Sequence, residues 1–231
     1  MRLLLIGLFL IANVSAQEAD QPRKVYKTVF EHTIKADKYQ ELVDLCREMD
    51  LTRKSNNPDY VPPARWIGVW GDGLRFLAEF ESDTPPQNFR FWPENNTTGV
   101  QHLVNDTRIL IYVSQFDASE KPLLTSANQK RYKILIRQTL RPDGYPALVE
   151  WFEAKDEMRK KIDPEYPRPR RFFQVVGNAL NFIYEAQTDS LSTNVGIWPA
   201  SSRSRTVDGT PKEVVTKLSR EVYRSFTDVD E

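Results

Sequence analysis

Hydrophobic and polar positions alternate along two similar stretches of the chain. In each stretch every second residue is mostly apolar, and the residues between them are mostly polar. The apolar face comprises Tyr26, Thr28, Phe30, His32 and Ile34 in the first stretch and Tyr132, Ile134, Ile136, Gln138 and Leu140 in the second. A period of two is typical of a half-buried β-strand, so both stretches are predicted to be strands with one face towards a helix layer.

A helical period follows each of these strands. Apolar residues recur there at the i, i+3, i+4, i+7 spacing of a stripe that packs on a sheet. The stripe comprises Tyr39, Leu42, Val43, Cys46 and Met49 in the first case and Tyr145, Leu148, Val149 and Phe152 in the second. Each stretch therefore predicts a strand followed by an amphipathic helix.

Two further strands are predicted after each helix, joined by the hairpin-type turns Gly71-Asp72 and Gly177-Asn178. These strands are Arg65–Trp70, Leu74–Glu81, Arg171–Val176 and Leu180–Gln187. The last elements are predicted as a helix at Thr98–Val104 and a strand at Arg108–Phe116, and as a helix around Pro211–Leu218 and a short strand at Glu221–Phe226.

The two sets of elements are copies of one sequence unit. Residues 24–93 align without a gap with residues 130–199, with 24 identities in 70 positions; ordinary composition would give roughly 4. The predicted domains are a signal peptide (1–16), an N-terminal extension (17–23), a first α+β repeat (24–117), a linker (118–129) and a second α+β repeat (130–231).

The order of elements predicts an α+β fold built from two tandem ferredoxin-like β-α-β-β-α-β repeats. Each repeat has an antiparallel sheet with both helices on one face. The other sheet face would be exposed in a single repeat, so the two repeats are predicted to pack sheet to sheet as an intramolecular pseudo-dimeric α+β barrel. We therefore expect a monomeric pseudo-dimer, with further oligomerisation left open.

The N-terminus is typical of an exported protein. Arg2 precedes an apolar run at 3–12, and small residues at Val14-Ser15-Ala16 predict cleavage after Ala16. The run is too short to cross a bilayer, so no membrane span is expected. Cys46 is the only cysteine, which excludes an intramolecular disulfide and is predicted to be buried. We expect a secreted or periplasmic protein, glycosylated at Asn95, Asn96 or Asn105 only in a host that glycosylates.

Charge excludes one class of partner. The chain has 32 Lys and Arg residues and 32 Asp and Glu residues, so its formal charge is zero. Nucleic-acid binding usually depends on a basic surface, and nothing in the charge balance indicates one. No nucleic-acid partner is expected.

Two segments resemble a known superfamily. Thr139-Leu140-Arg141-Pro142-Asp143-Gly144 leads from strand to helix, and 175–181 leads into Ile183-Tyr184-Glu185. These segments and the element order resemble the dimeric α+β barrel superfamily, and NIPSNAP-type domains more than antibiotic-biosynthesis monooxygenases. The resemblance covers Lys24 to Phe116 and Lys130 to Phe226. It implies a shared fold, whereas activities in the superfamily range from cofactor-independent oxygenases and haem enzymes to stress-response and carrier proteins.

The strand faces opposite the helices are predicted to line the space between the two sheets. Polar residues on these faces are the candidate binding residues. They are Lys27, Glu31, Arg75, Glu79, Lys133, Arg137, Asn181 and Glu185. They form either a cavity for a small polar or acidic molecule or a self-neutralising network of ion pairs. Glu79 and Glu185 occupy equivalent positions, so a site that uses both would be pseudo-twofold.

Catalytic residues cannot be assigned from the sequence. His32 and His102 are the only histidines, and neither lies in a metal-binding spacing, so no metal site is predicted. No cofactor is evident; a haem, which the resemblance allows, would have His102 as its only candidate ligand. By resemblance to oxygenases of this barrel type, Trp66 or Trp70 and Asn181 could lie in the cavity.

Three hypotheses for function remain open. The first is an exported protein that binds a small polar or amphipathic molecule between the sheets, or acts as an accessory or interaction protein. The alternative is a cofactor-independent monooxygenase, an isomerase or a haem-type enzyme of the same superfamily. The third is an intermolecular structural role through exposed sheet edges.

Overall fold

Eight strands and two helices form the described part of the protein. The computed structural model describes residues 23–70, 74–86, 100–117, 121–166, 168–176, 180–191 and 214–226. The elements are β1 (Tyr26–Ile34), α1 (Tyr39–Asn56), β2 (Ala64–Trp70), β3 (Arg75–Ser82), β4 (Val104–Ser114), β5 (Tyr132–Leu140), α2 (Tyr145–Ile162), β6 (Arg170–Val176), β7 (Asn181–Thr188) and β8 (Val215–Ser225).

The strands form one closed antiparallel barrel in the order β1-β3-β2-β8-β5-β7-β6-β4. Each half of the chain contributes four adjacent strands, and the halves join where β2 pairs with β8 and where β4 pairs with β6. The predicted barrel is therefore confirmed in outline, but its two halves form one continuous sheet instead of two packed sheets, because hydrogen bonds continue from one half into the other. Closure satisfies the edge groups that two open sheets would leave unpaired.

The predicted positions of the second helix of each repeat are corrected, since each half has the order β-α-β-β-β in the described residues. The β-α-β-β-α-β order itself stays a prediction, because residues 87–99 and 192–213 lie outside the described residues. Of the predicted helix Thr98–Val104, Val100–Leu103 form a turn and Val104 begins β4; of the predicted helix Pro211–Leu218, Val215–Leu218 belong to β8. Residues 98, 99 and 211–213 lie outside the described residues. Pairing of β8 along the whole of β5 outweighs the local helical pattern.

The strand registers are the same in both halves. Lys27 lies opposite Tyr112 in β1 and β4, and Lys133 lies opposite Tyr223 in β5 and β8. Both pairings are irregular at the same place, next to Ile34 and Leu140. The last strands are therefore equivalent at a shift of 111 rather than 106, which the gapless alignment of the sequence did not reach.

Both helices cover the outside of the barrel. Leu42, Val43 and Cys46 of α1 pack in one apolar cluster with Phe76 of β3, and Cys46 is buried as predicted. Leu148 and Phe152 of α2 form the equivalent cluster, whose other buried members are Leu140, Phe182 and Tyr184. In the ranges described above, no helix is long and apolar enough to cross a membrane.

The linker closes one end of the barrel. Leu124 is buried in the interior cluster together with Phe116, and its N–H donates a hydrogen bond to Glu81 at 2.7 Å. Several predicted features lie outside the described residues: the signal peptide 1–16, residues 17–22 of the extension, the turns at 71–73 and 177–179, and the sequons at Asn95 and Asn96. Asn105, the third sequon, is exposed on β4.

Candidate functional site

The candidate binding residues lie inside the barrel in two groups. The central layer is a set of charged side chains that are buried except for Arg170, whose side chain is 12% exposed. It consists of Lys27, Glu79, Glu81, Lys133, Arg170 and Glu185. The outer layer lies next to it and consists of Glu31, Arg75, Arg137 and Glu221. Strand alternation explains the grouping, because these residues share the inward face of their strands.

Two lysines and two glutamates form a ring at the centre of the central layer. Lys27 Nζ lies 2.5 Å from Glu185 Oε1 and 3.5 Å from Glu79 Oε2. Lys133 Nζ lies 2.7 Å from Glu185 Oε2 and also contacts Glu79 Oε1. Each charge thus has two partners of opposite sign, and the two repeats contribute equally.

Arg170 and Glu81 extend this ring towards the linker. Arg170 lies 2.5 Å from Glu81 and 3.5 Å from Glu185, and Glu81 Oε1 lies 3.2 Å from Lys27 Nζ. The sequence analysis did not include these two residues among the candidates. Glu81 lies two residues after Glu79 and so shares its strand face, whereas Arg170 precedes the strand that was predicted to begin at Arg171.

The central layer is electrically neutral, with three basic and three acidic side chains. Burial opposes the charge of Lys27, but the carboxylates of Glu185 and Glu79 outweigh it and raise the Lys27 pKa well above its usual value. Burial also opposes the charge of Glu185, but Lys133 and Lys27 hold the pKa of that carboxyl well below its usual value. Lys27 and Glu185 are therefore both held in their charged forms by the partners around them.

Aromatic side chains fill the space around the central layer. Trp66 is fully buried and donates its indole N–H to Glu79 Oε2 at 3.2 Å. The ring of Phe172, at the equivalent position of the second repeat, lies 4.4 Å from Lys27 Nζ. Tyr112 is also buried, and burial raises its pKa to about 12. The aromatic rings therefore pack against the buried charges, and Trp66 adds a hydrogen bond to one of them.

The outer layer is a second balanced set of ion pairs. Arg137 lies 2.5 Å from Glu31 and 3.2 Å from Glu221. Arg75 lies 3.5 Å from Glu31 and 3.3 Å from Glu221. Glu221 also accepts a hydrogen bond from the Tyr223 hydroxyl. Glu221 was not among the candidates from the sequence, for two reasons. Its counterpart at the shift of 111 is the apolar residue Leu110, and the strand predicted to begin at Glu221 was too short.

Unlike the ring of lysines and glutamates, the outer layer reaches solvent. The side chains of Arg75 and Arg137 are 21% and 19% exposed, whereas Lys27, Lys133 and Glu185 have no exposed side-chain surface. Asn181 stands near this end, at the start of β7, and is half-buried. Its side-chain oxygen accepts from Thr139 Oγ1 at 3.0 Å, and its nitrogen donates to Gln174 at 2.8 Å.

The two candidate tryptophans lie in different environments. Trp66 belongs to the buried interior, whereas Trp70 is 57% exposed at the end of β2. The placement of Trp70 in the cavity is therefore wrong. A bulge explains the change, since β2 and β8 slip by one residue between Gly68 and Trp70, which turns the end of β2 away from the interior.

Neither histidine faces the barrel interior. His32 packs on Phe76 on the helix side of β1, and its Nδ1 lies 2.9 Å from Thr107 Oγ1. His102 is exposed in the turn before β4, with Nε2 2.8 Å from Glu41 Oε1. The described ranges contain no group of three or more His, Cys, Asp or Glu side chains that could hold a metal ion. The surroundings of both histidines therefore do not fit an axial haem ligand.

His32 makes the stability of the fold depend on pH. Burial lowers the pKa of His32 below its usual value of 6.5, so between these two values the unfolded chain binds more protons than the folded one. Stability is therefore full above about pH 6.5 and falls as the pH drops, by at most about 1.4 kcal/mol per pH unit. We expect His32→Gln, which introduces the residue of the second repeat, to reduce the change in melting temperature between pH 7 and pH 5.5. An unchanged pH profile in this variant would contradict the assignment.

Comparisons with known proteins identify the fold. No family model matches the sequence, and no curated protein matches it. Among solved structures, an anthrone oxidase-like protein is 12% identical, with a TM-score of 0.58 over 89% of this chain and 92% of that one. A variant of the chlorite dismutase from Candidatus Nitrospira defluvii is 9% identical, with a TM-score of 0.54 over 90% and 92%. A monooxygenase-like protein from Lactobacillus acidophilus is 8% identical, with a TM-score of 0.52 over 88% and 94%.

The chain has a dimeric α+β barrel-like fold. The solved structures match both of its halves, since they cover nearly nine tenths of the chain or more. At 8–12% identity the likeness concerns the fold alone. Function has to be argued from the site itself.

Proposed function

We propose that this protein is an exported binding protein that holds a small polar molecule at the outer layer of its barrel, while the central layer serves as a structural core. One observation carries the proposal: the buried ring of two lysines and two glutamates is identical in the two repeats, whereas the outer layer differs between them. Lys27 and Glu79 recur as Lys133 and Glu185 in the central layer. In the outer layer Glu31 is replaced by Arg137, Arg75 by Asn181, and Leu110 by Glu221.

The difference between the layers has a physical reason. A pair of duplicated residues serves a pseudo-twofold core equally well from both repeats. A single small ligand has no such symmetry, so a site for it favours different residues on its two sides. The outer layer has this asymmetry, whereas the ring of two lysines and two glutamates has at most 1% of any side chain exposed and so offers no accessible charge to a ligand.

Arg75 is the residue best placed to bind the ligand. Its ion pairs, at 3.3 and 3.5 Å, are longer than the 2.5 Å contact between Arg137 and Glu31. A carboxylate or phosphate at this end of the barrel would compete with Glu31 and Glu221 for the Arg75 guanidinium. The polar side chains of Asn181 and Thr139 lie on β7 and β5, which pair with each other in the second half of the barrel. The expected ligand is a small molecule with one anionic group.

Replacing Arg75 with asparagine, the residue of the second repeat, tests this function. We expect native mass spectrometry of residues 17–231, purified from the host compartment, to show an added mass in the wild type. Loss of a charge-assisted contact worth about 1.5–3 kcal/mol should raise the dissociation constant of the bound molecule at least tenfold in Arg75→Asn, so its occupancy should fall. Arg108→Asn is the matched control, because Arg108 is exposed on β4 and pairs with Asp106.

Two results would overturn the proposal. The first is equal occupancy in Arg75→Asn and the wild type, with circular dichroism showing both folded. The second is a wild-type protein that carries no added mass and whose melting temperature does not change with small carboxylates or phosphates. The second result would favour an accessory or interaction role.

A catalytic function is the second candidate, and the pair of Tyr223 and Glu221 favours it. A buried tyrosine hydroxyl donates to a carboxylate that borders the exposed Arg75 and Arg137. Such a carboxylate could take a proton from a substrate bound at the outer layer, as a cofactor-independent oxygenase or isomerase requires. Turnover lost in Glu221→Gln, with ligand occupancy retained, would favour this candidate over simple binding.

The proposal also includes export of the protein and its origin by duplication of one unit. Residues 1–16 have the charge, apolar run and small residues of a signal peptide, which supports secretion or a periplasmic location. The repeat of 24 identities and the equivalent registers of both halves support descent from one ferredoxin-like unit, whose strand-to-helix segments resemble those of NIPSNAP-type domains. N-terminal sequencing of the native protein, with Gln17 as the first residue, would test the cleavage site.

A further inference from the structure

A cavity of about 260 Å³ lies outside the barrel, beside the C-terminal half of α1. Its volume corresponds to about eight or nine water molecules at ~30 Å³ each, which is room for a molecule of amino-acid size. Its lining combines charged, polar and apolar side chains from α1, from the start of β2, from the linker and from the end of β8. The lining residues are Arg47, Asp50, Pro62, Pro63, Arg65, Ser126, Gln129 and Phe226.

An ion pair between Asp50 and Arg65 lies at the cavity. Arg65 binds Asp50 through both terminal nitrogens, with NH2 2.8 Å from Oδ1, and the Tyr60 hydroxyl donates to the same oxygen at 2.9 Å. The Arg65 guanidinium carbon lies 5.7 Å from the centre of the Phe226 ring. The pair is built into the fold, yet the Asp50 side chain remains 20% exposed.

The second repeat contains the same ion pair but covers it with its own arginine. Arg171 binds Asp156 through two contacts of 2.6 and 2.7 Å, and Arg168 Nε lies 3.5 Å from Asp156 Oδ2. The Asp156 side chain is only 2% exposed. In the alignment of the repeats, Arg168 corresponds to Pro62, and Glu153 corresponds to Arg47. The first repeat thus has proline where the second has a guanidinium, and arginine where the second has a carboxylate.

We propose that this cavity is a binding site for a small molecule that carries a guanidinium and a carboxylate, of which free arginine is the simplest example. The guanidinium would stand at Asp50 as that of Arg168 stands at Asp156. The carboxylate would lie against Arg47, which lines the cavity and has a side chain that is 42% exposed. The prolines and Phe226 offer an apolar wall for the methylene stem between the two groups.

This site is independent of the outer layer. Its lining shares no residue with the charged pairs inside the barrel, so either site can be tested without disturbing the other. A ligand that depends on Arg75 belongs to the barrel, and one that depends on residue 62 belongs to this cavity.

Three ligands test the chemistry by isothermal titration calorimetry. We expect L-arginine to bind with one site per chain. L-citrulline, which is nearly the same size and lacks the guanidinium charge, should bind at least about tenfold more weakly, and so should agmatine, which lacks the carboxylate. Equal binding of L-arginine and L-citrulline, or no binding of L-arginine at millimolar concentration, would overturn the proposal.

Substitutions at residue 62 locate the site. Pro62→Arg supplies the side chain that the second repeat already has, so it should fill the cavity and abolish L-arginine binding, with a melting temperature at or above that of the wild type. Pro62→Ala is the matched control and should retain binding. Arg47→Glu, at an exposed position, should weaken L-arginine more than agmatine. Unchanged L-arginine binding in Pro62→Arg would place the ligand elsewhere and overturn the assignment.

Discussion

Replacing Lys133 with methionine is expected to destabilise the protein by about 3–5 kcal/mol, the cost of leaving buried charge without its partner. Lys133 contacts both Glu79 and Glu185, and none of the three side chains has more than 1% of its surface exposed. After the change, Lys27 alone bridges these two carboxylates, and one negative charge in the interior is uncompensated. Urea unfolding followed by tryptophan fluorescence measures the loss.

The double variant Lys133→Met/Glu79→Gln separates charge from packing. It removes one positive and one negative charge, so the interior is neutral again, and glutamine can still accept the hydrogen bond from Trp66. We expect it to recover at least half of the lost stability. If the double variant is as unstable as the single one, the lysine acts through its packing and the account of the central layer as an electrostatic core is wrong.

Strand alternation allowed part of the site to be predicted from the sequence. Lys27 and Glu31 lie two and six positions along one strand face from Val25, and the period of two places them inside without any further information. The duplicated unit supports this, because Lys133 and Glu185 occupy the same registers in the second half. The strands that carry most of the interior charge could therefore be predicted.

The last strand of each half could not be predicted to the same extent. β8 begins with an exposed, mostly polar segment from Thr216 to Leu218, and only its pairing with β5 determines that it is extended. The shift between the repeats changes from 106 to 111 before these strands, so the self-comparison ends before them. Glu221 was missed for this reason, although Tyr112 and Tyr223 become equivalent once the strands are paired.

The choice between a cavity and an ion-pair network also depended on the missed residues. The eight candidates include four basic and three acidic side chains, a net charge of 4 − 3 = +1, which favours an anionic ligand. Adding Arg170, Glu81 and Glu221 gives five of each sign, 5 − 5 = 0. Charge balance in a core is therefore a property of the whole set of inward positions, and the three missed residues change the net charge of the interior from +1 to 0.

The two Asp–Arg ion pairs outside the barrel should contribute differently to stability, so replacing the aspartate with alanine should cost more in one repeat than in the other. Asp156→Ala should destabilise the protein by about 3–5 kcal/mol, because it leaves the buried guanidinium of Arg171 and the nearby Arg168 without their carboxylate. Asp50→Ala should cost only about 1–3 kcal/mol, since Asp50 is more exposed and solvent can reach the Arg65 pair from the cavity. Paired urea titrations of the two variants measure the difference.

A Pro62→Arg background tests whether the burial of the ion pair alone explains the difference in stability between Asp50→Ala and Asp156→Ala. With an arginine at residue 62 the first repeat acquires the cover that Arg168 gives the second, so Asp50→Ala in that background should approach the cost of Asp156→Ala. The reason is that two guanidinium groups then lose one shared carboxylate in each repeat. Equal costs of the two alanine variants in the wild-type background would instead mean that the exposure of Asp50 has no energetic consequence, and that the cavity beside it is not accessible to solvent.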